Sequence, residues 1–231
     1  MSDVVLEVAQ VGFDYGALSV IDKLDLRVER NELLVCVGPS GCGKSTLLSL
    51  LGGHLAPTRG KITRHGQSRT IYQDGGLFPW LDVRQNIALG TGGNMKKVDE
   101  WLEITRLAEF ASSFPHQLSG GMRQRVELAR ALAAETDILL MDEPFSALDY
   151  QTRRRMRKEL VSTLAERPRS VVFVTHDIEE AVQIGDRVVV LGTRPASVRK
   201  ELALPAGRSR APATPGVAEA EQAIMEELGL S

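Results

Sequence analysis

The segment Gly38-Pro39-Ser40-Gly41-Cys42-Gly43-Lys44-Ser45 fits the pattern G-x-x-x-x-G-K-[ST] at every position. It follows a continuously apolar run, LLVCVG at 33–38, and precedes a run of helix formers, KSTLLSLL at 44–51. The glycines let the backbone curl so that its N–H groups point inward at phosphate oxygens. A helix starting near Lys44 adds the positive end of its dipole. Lys44 can neutralise the outer phosphates of a nucleoside triphosphate, and Ser45 can set its hydroxyl on Mg²⁺. The competing reading is a glycine-rich turn with a chance lysine. The strand-to-helix context speaks against it.

Two further elements complete the chemistry. The apolar run ILLM at 138–141 ends in Asp142 and Glu143. A buried strand ending in two acids delivers carboxylates to the sheet edge where the phosphate loop lies. Asp142 then holds Mg²⁺, directly or through water, and Glu143 stands near the attacking water as general base. Leu118-Ser119-Gly120-Gly121 precedes a helical pattern and forms a second anion nest. It is either an ordinary serine N-cap or a nest for a second phosphate. One loop already serves one nucleotide, so the second nest predicts a nucleotide held by another copy of the chain.

The elements that must position these groups follow from periodicity. Val4, Leu6 and Val8, then Val20, Leu24, Leu26 and Val28, alternate as short antiparallel strands with one buried face. Strand runs at 33–38, 137–142, 170–176 and 187–192 are separated by helical patterns, among them Tyr150–Glu166. Strands alternating with helices mean βαβ units. The stretch 98–110 and the stretch 122–134 read as helices inside one block. The prediction is an α/β fold: a P-loop NTPase core with a mostly parallel sheet, an N-terminal antiparallel β subdomain and an inserted α-helical subdomain. Residues 1–204 form the ATPase domain, with the insert at about 75–136. Residues 205–231 form a Pro/Ala-rich linker and a short C-terminal helix.

Composition excludes several classes. The 231 residues are 43% hydrophobic and 25% charged, which suits one domain with a real core. A net charge of −2 gives no case for nucleic acid. The basic run Arg153–Lys158 is expected on a solvated helix face. Cys36 and Cys42 are expected as reduced thiols. Alkylation of Cys42 would block the phosphate loop. The start has acids and no apolar run, which argues against a signal peptide. No stretch approaches the roughly 18 apolar residues a membrane helix needs.

At this point the residues resemble the ATP-binding cassette (ABC) ATPases, over roughly residues 4–200 and with the family's motifs in order. GPSGCGKST, through Thr46, is similar to the Walker A loop and ILLMDE to Walker B. LSGGMRQR at 118–125 resembles the family signature, with Met122 where many members carry glutamine. The resemblance implies that Tyr15 stacks on adenine. It implies that Gln73 links Mg²⁺ and the attacking water to a membrane partner. It also implies that Ser146-Ala-Leu-Asp149 crosses a dimer interface and that His176 contacts the γ-phosphate. It further implies two ATPs sandwiched in a head-to-tail dimer of the same chain, on transmembrane permease subunits at the cytoplasmic face of the cell membrane. An external solute-binding protein acts indirectly. Soluble ABC ATPases of DNA repair split the cassette with long coiled coils, and no such heptads stand here.

The stretch from Gln73 to Gly90, QDGGLFPWLDVRQNIALG, looks like the importers of nitrate, sulfonate and taurine. Leu77, Phe78, Trp80 and Leu81 form an apolar cluster there. It reads either as core packing of the insert or as a docking groove for a permease helix.

Overall fold

The computed structural model describes residues 3–72, 76–211 and 213–230. In chain order the strands are β1 (Val4–Tyr15), β2 (Leu18–Glu29), β3 (Leu33–Val37), β4 (Arg59–Arg64), β5 (Ser68–Ile71), β6 (Ile138–Asp142), β7 (Ser170–Thr175), β8 (Arg187–Leu191) and β9 (Val198–Ala203). The helices are α1 (Lys44–Gly52), α2 (Val83–Ala88), α3 (Met95–Thr105), α4 (Gly120–Ala133), α5 (Tyr150–Glu166), α6 (Ile178–Ile184) and α7 (Val217–Leu228).

Two sheets result. β2-β1-β4 is antiparallel. The larger sheet runs β5-β6-β7-β3-β8-β9 and is parallel except for the β8–β9 hairpin. β3, β6 and β7 are buried at every position. That is the expected consequence of apolar strands covered on both faces. Alternate residues of β3 face two separate cores. Leu33, Val35 and Val37 join α4, α5, α6 and α7. Leu34 and Cys36 join α1 and the antiparallel sheet. The architecture is the α/β arrangement expected from the sequence.

β4, β5 and β9 are not foreshadowed by any strand pattern in the sequence. β4 (RGKITR) and β9 (VRKELA) carry charges and lack full burial, so they show no apolar run. They lie at sheet edges, where one side of the backbone ladder needs no partner. Residues 205–211 hold no regular element but are fastened to the body. Arg208 pairs with Asp186 at 2.5 Å, and Arg210 donates to the carbonyls of Val182 and Gly185. The basic run on α5 is not uniformly solvated. Arg157 is buried and donates to the Gln183 side chain, and Arg153 reaches Asp177.

Between β5 and β6 the chain forms α2, α3 and α4. Asp82 caps α2 in a capping box with Gln85. Asn86 is fully buried. Its amide donates to the carbonyls of Leu81 and Asp82 at 2.9 and 3.0 Å, and its oxygen accepts from the Phe78 N–H at 3.0 Å. One side chain therefore shapes the loop 78–82. Leu77 packs inward, while Phe78 and Trp80 remain 40% and 68% exposed. Among the described residues no helix is long and apolar enough to cross a membrane.

Candidate functional site

Parallel register builds the site. Val37 pairs with Thr175, and Asp142 pairs with Val174. The C-terminal ends of β3, β6 and β7 therefore stop almost level. The residues that follow them (Gly38, Glu143 and His176) emerge on one edge of the sheet. Ligands in such sheets bind at that edge.

The loop after β3 turns into α1 through two left-handed glycines, Gly41 at φ 74° and Gly43 at φ 121°. Only glycine takes φ near 120° without strain. A Cβ on Gly43 would also lie 2.9 Å from Val20 Cγ1. The Lys44 ammonium is buried beneath the loop and donates to the carbonyls of Gly38 and Pro39 at 2.8 and 3.0 Å. Cys42 is buried behind the loop, and burial pushes its thiol pKa up. A buried, protonated thiol is a slow nucleophile, so this conformation disfavours the alkylation expected from sequence. Cys36 is pushed up to about 12 by the same cause.

Glu143 sits at φ 46°, a left-handed conformation that non-glycine residues rarely adopt. Its surroundings over-determine it. Its N–H donates to the Val174 carbonyl at 2.9 Å. Its carbonyl accepts from Ser146 Oγ at 2.9 Å and from Gln124 Nε2 at 3.3 Å. Strain held this way cluster at functional sites. Its carboxylate meets His176 Nδ1 at 3.0 Å.

A cleft of about 440 Å³ opens over these groups. Tyr15, Ser40, Gly41, Gly43, Lys44, Ser45, Thr46, Glu143 and His176 all line it. Tyr15 is half exposed and is braced edge-on by Phe13, with ring centroids 4.8 Å apart. Asp142 is buried at the end of β6, one residue before Glu143. Arg194 and Leu18 also line the cleft. Neither belongs to a motif, and no spacing signal in the sequence points to them. Gln73 lies outside the described residues.

Ser119, Gly120, Gly121 and Asp149 do not line this cleft. They gather elsewhere. Ser119 caps α4 by accepting from the Met122 N–H, and Asp149 caps α5 by accepting from the Thr152 N–H at 3.0 Å. Hydrogen bonds from Thr152 hold the Asp149 carboxyl below its usual range. Gln124 joins the two loops, accepting from the Ala147 N–H at 3.1 Å. A Cβ on Gly121 would lie 3.1 Å from the Ala147 carbonyl. Residues 119–121 and the loop 146–149 are thus one surface, separate from the loop Gly38–Ser45 of the same chain.

Known proteins resemble this chain. The ABC transporter family profile matches residues 21–146. The aliphatic sulfonates import ATP-binding protein SsuB of Bacillus cereus is 39% identical over 209 residues, covering 84% of this chain and 83% of its own. The taurine import ATP-binding protein TauB of Roseobacter denitrificans is 38% identical over 203 residues, covering 81% and 76%. The dimeric structure of MJ0796, a bacterial ABC transporter cassette, superposes with a TM-score of 0.78 at 29% identity. It covers 87% of this chain and 100% of that one.

Gly43→Ala tests the loop geometry. Strain of about 1–3 kcal/mol at this φ predicts nucleotide binding weakened by about tenfold or more. Titration with a fluorescent ATP analogue measures it, and unchanged affinity would remove Gly43 from the loop's working shape.

Proposed function

The chain belongs to the ABC transporter family as an ATP-binding, ATP-hydrolysing subunit. From that premise we propose that it powers uptake of a small sulfonate-, taurine- or nitrate-like solute through a separate permease. The observation that carries the hydrolytic half is the Glu143–His176 contact at 3.0 Å, at the wall of the phosphate-loop cleft. The import half is supported by the sulfonate and taurine import relatives and by the exposed Phe78–Trp80 pair, whose rings lie 5.4 Å apart.

The proposed roles follow the geometry. Tyr15 stacks on the adenine. The loop Gly38–Thr46 wraps the phosphates, with Lys44 turning from loop carbonyls to the β and γ oxygens. Ser45 and Asp142 supply hard oxygen donors of the kind Mg²⁺ takes, alongside phosphate oxygens, and Gln73 is the further proposed ligand. Mg²⁺ held there would draw charge from the phosphate oxygens. Glu143 orders the attacking water and takes its proton. His176 is oriented by Glu143 through Nδ1, which leaves Nε2 to meet the γ-phosphate. Ser119, Gly120, Gly121 and Asp149 act on the nucleotide of a second copy. A head-to-tail dimer brings each nest over the partner's cleft.

Phe78 and Trp80 are the proposed permease contact. Asn86 holds their loop, so the aromatic pair meets its partner pre-organised. Arg130 stacks 5.6 Å from the Phe78 ring and forms the groove floor with Glu127.

Two variants test the halves separately. Glu143→Gln should lower ATP hydrolysis by roughly 10²–10⁴ while ATP binding survives. Retained turnover would take the base role away from Glu143. Trp80→Ala should leave ATP binding intact but weaken co-purification with the permease and abolish uptake. Normal transport by that variant would contradict the docking role.

A further inference from the structure

Beside the Glu143–His176 pair lies a second, small pocket of about 50 Å³, partly open to solvent. Its lining includes Glu143, His176, Arg153, Thr175 and Glu180. Glu180 is 97% buried, at 3% exposure, in the first turn of α6. Its Oε1 has no hydrogen-bond partner among the described residues, and neither has Arg153 Nε. A buried carboxylate oxygen and a buried guanidinium N–H left unmatched on one cavity are unusual. Such a pair asks for a bridging water. A water occupies about 30 Å³ in the liquid, so the cavity has room for one. It also has the polar walls a water needs.

The first turn of α6 makes this placement. Asp177 caps the helix by accepting from the Glu180 N–H at 3.0 Å. The Glu180 side chain lines the same pocket as His176, which immediately precedes Asp177. No motif in the sequence singles out Glu180.

We propose that Glu180 is a proton-accepting positioning residue of the hydrolytic site, acting on Glu143 through a water held in this cavity. The inference rests on the base role proposed for Glu143. As the attacking water forms its bond to the γ-phosphorus, Glu143 takes its proton and becomes a carboxylic acid. Glu143 then gives that proton to the cavity water while the water gives one of its own to Glu180. Glu143 is a carboxylate again, Glu180 is neutral, and Glu180 later loses the proton to solvent. No other reactant is consumed.

The charges around Glu180 suit a group that changes state near neutral pH. Burial raises its pKa most, and it stands at about 7. A hydrogen bond from Thr175 lowers it, the Asp177 carboxylate raises it, and Arg157 and Arg153 of α5 lower it. Glu143 and His176 face it across the cavity. From α7, Glu221 faces Glu179 and Asp177. A carboxyl placed this way can take up a proton and give it back near neutral pH.

The test is Mg·ATP hydrolysis by the full-length chain between pH 6 and 8, comparing wild type with Glu180→Gln. ATP affinity and melting temperature are measured alongside. An acceptor must be ionised, so wild-type turnover gains from rising pH across this window and the variant does not. The ratio of wild-type to variant turnover should widen by up to about tenfold from pH 6 to 8, while ATP affinity stays unchanged. A variant with the wild-type pH profile, at any absolute rate, overturns the proposal. Arg153→Gln gives a second reading should Glu180→Gln fail to fold. Losing that cation moves the rising limb to higher pH, and an unmoved limb overturns the proposal. Full turnover by Glu143→Gln would instead defeat the base role on which this one rests. Loss of turnover there, with a wild-type profile in Glu180→Gln, defeats only the role of Glu180.

Discussion

Three parallel strands that stop level with one another govern this molecule. β3, β6 and β7 are hydrogen-bonded neighbours, and their pairing sets Val37 beside Thr175 and Asp142 beside Val174. A one-residue slip in either ladder would swap every side chain to the opposite core. Each core is dense in buried branched residues, so such a slip is costly. The register in turn delivers the phosphate loop, Glu143 and His176 to one edge. Burial of Val, Leu and Phe side chains thus sets the distance between the phosphate loop and the residues proposed to act on its cargo.

The remaining apparatus is attached to that edge by hydrogen bonds. Gln124 is the clearest link. It lies on α4, is buried, and binds both the Glu143 carbonyl and the Ala147 N–H. The helix that begins at the proposed nest therefore also grips the strained residue after β6. In the proposed dimer, a nest closing on the partner's nucleotide would pull on its own Glu143 through one side chain. The same α4 carries Glu127 and Arg130 beneath the exposed Phe78, on the face proposed for the permease. Burial raises the Glu127 pKa, and its chief opposing influence is Arg130. One helix thus spans the proposed permease contact, the proposed nest and the strand end that carries the proposed base.

The parts legible from sequence were those with a period or a motif. β3, β6 and β7 are unbroken apolar runs because both faces are covered, and α5 is a long helical run. The phosphate loop was legible because backbone geometry demands glycine there. β4, β5 and β9 were not, since half-buried edge strands carry no continuous apolar signal. Arg208 and Arg210 look like linker residues until their carbonyl and carboxylate partners are seen. Arg194 reaches the cleft from a hairpin turn, and Glu180 reaches its cavity from a helix start. Both placements depend on tertiary packing, which leaves no local pattern.

The central claim is that one chain supplies half of each nucleotide site. It is tested most directly by sedimentation of the Glu143→Gln chain with and without Mg·ATP. A monomer is expected without nucleotide and a dimer with it. Ser119→Arg on the same chain should restore the monomer although ATP still binds the phosphate loop. A Glu143→Gln chain that stays monomeric while saturated with Mg·ATP would mean that each chain holds its nucleotide alone.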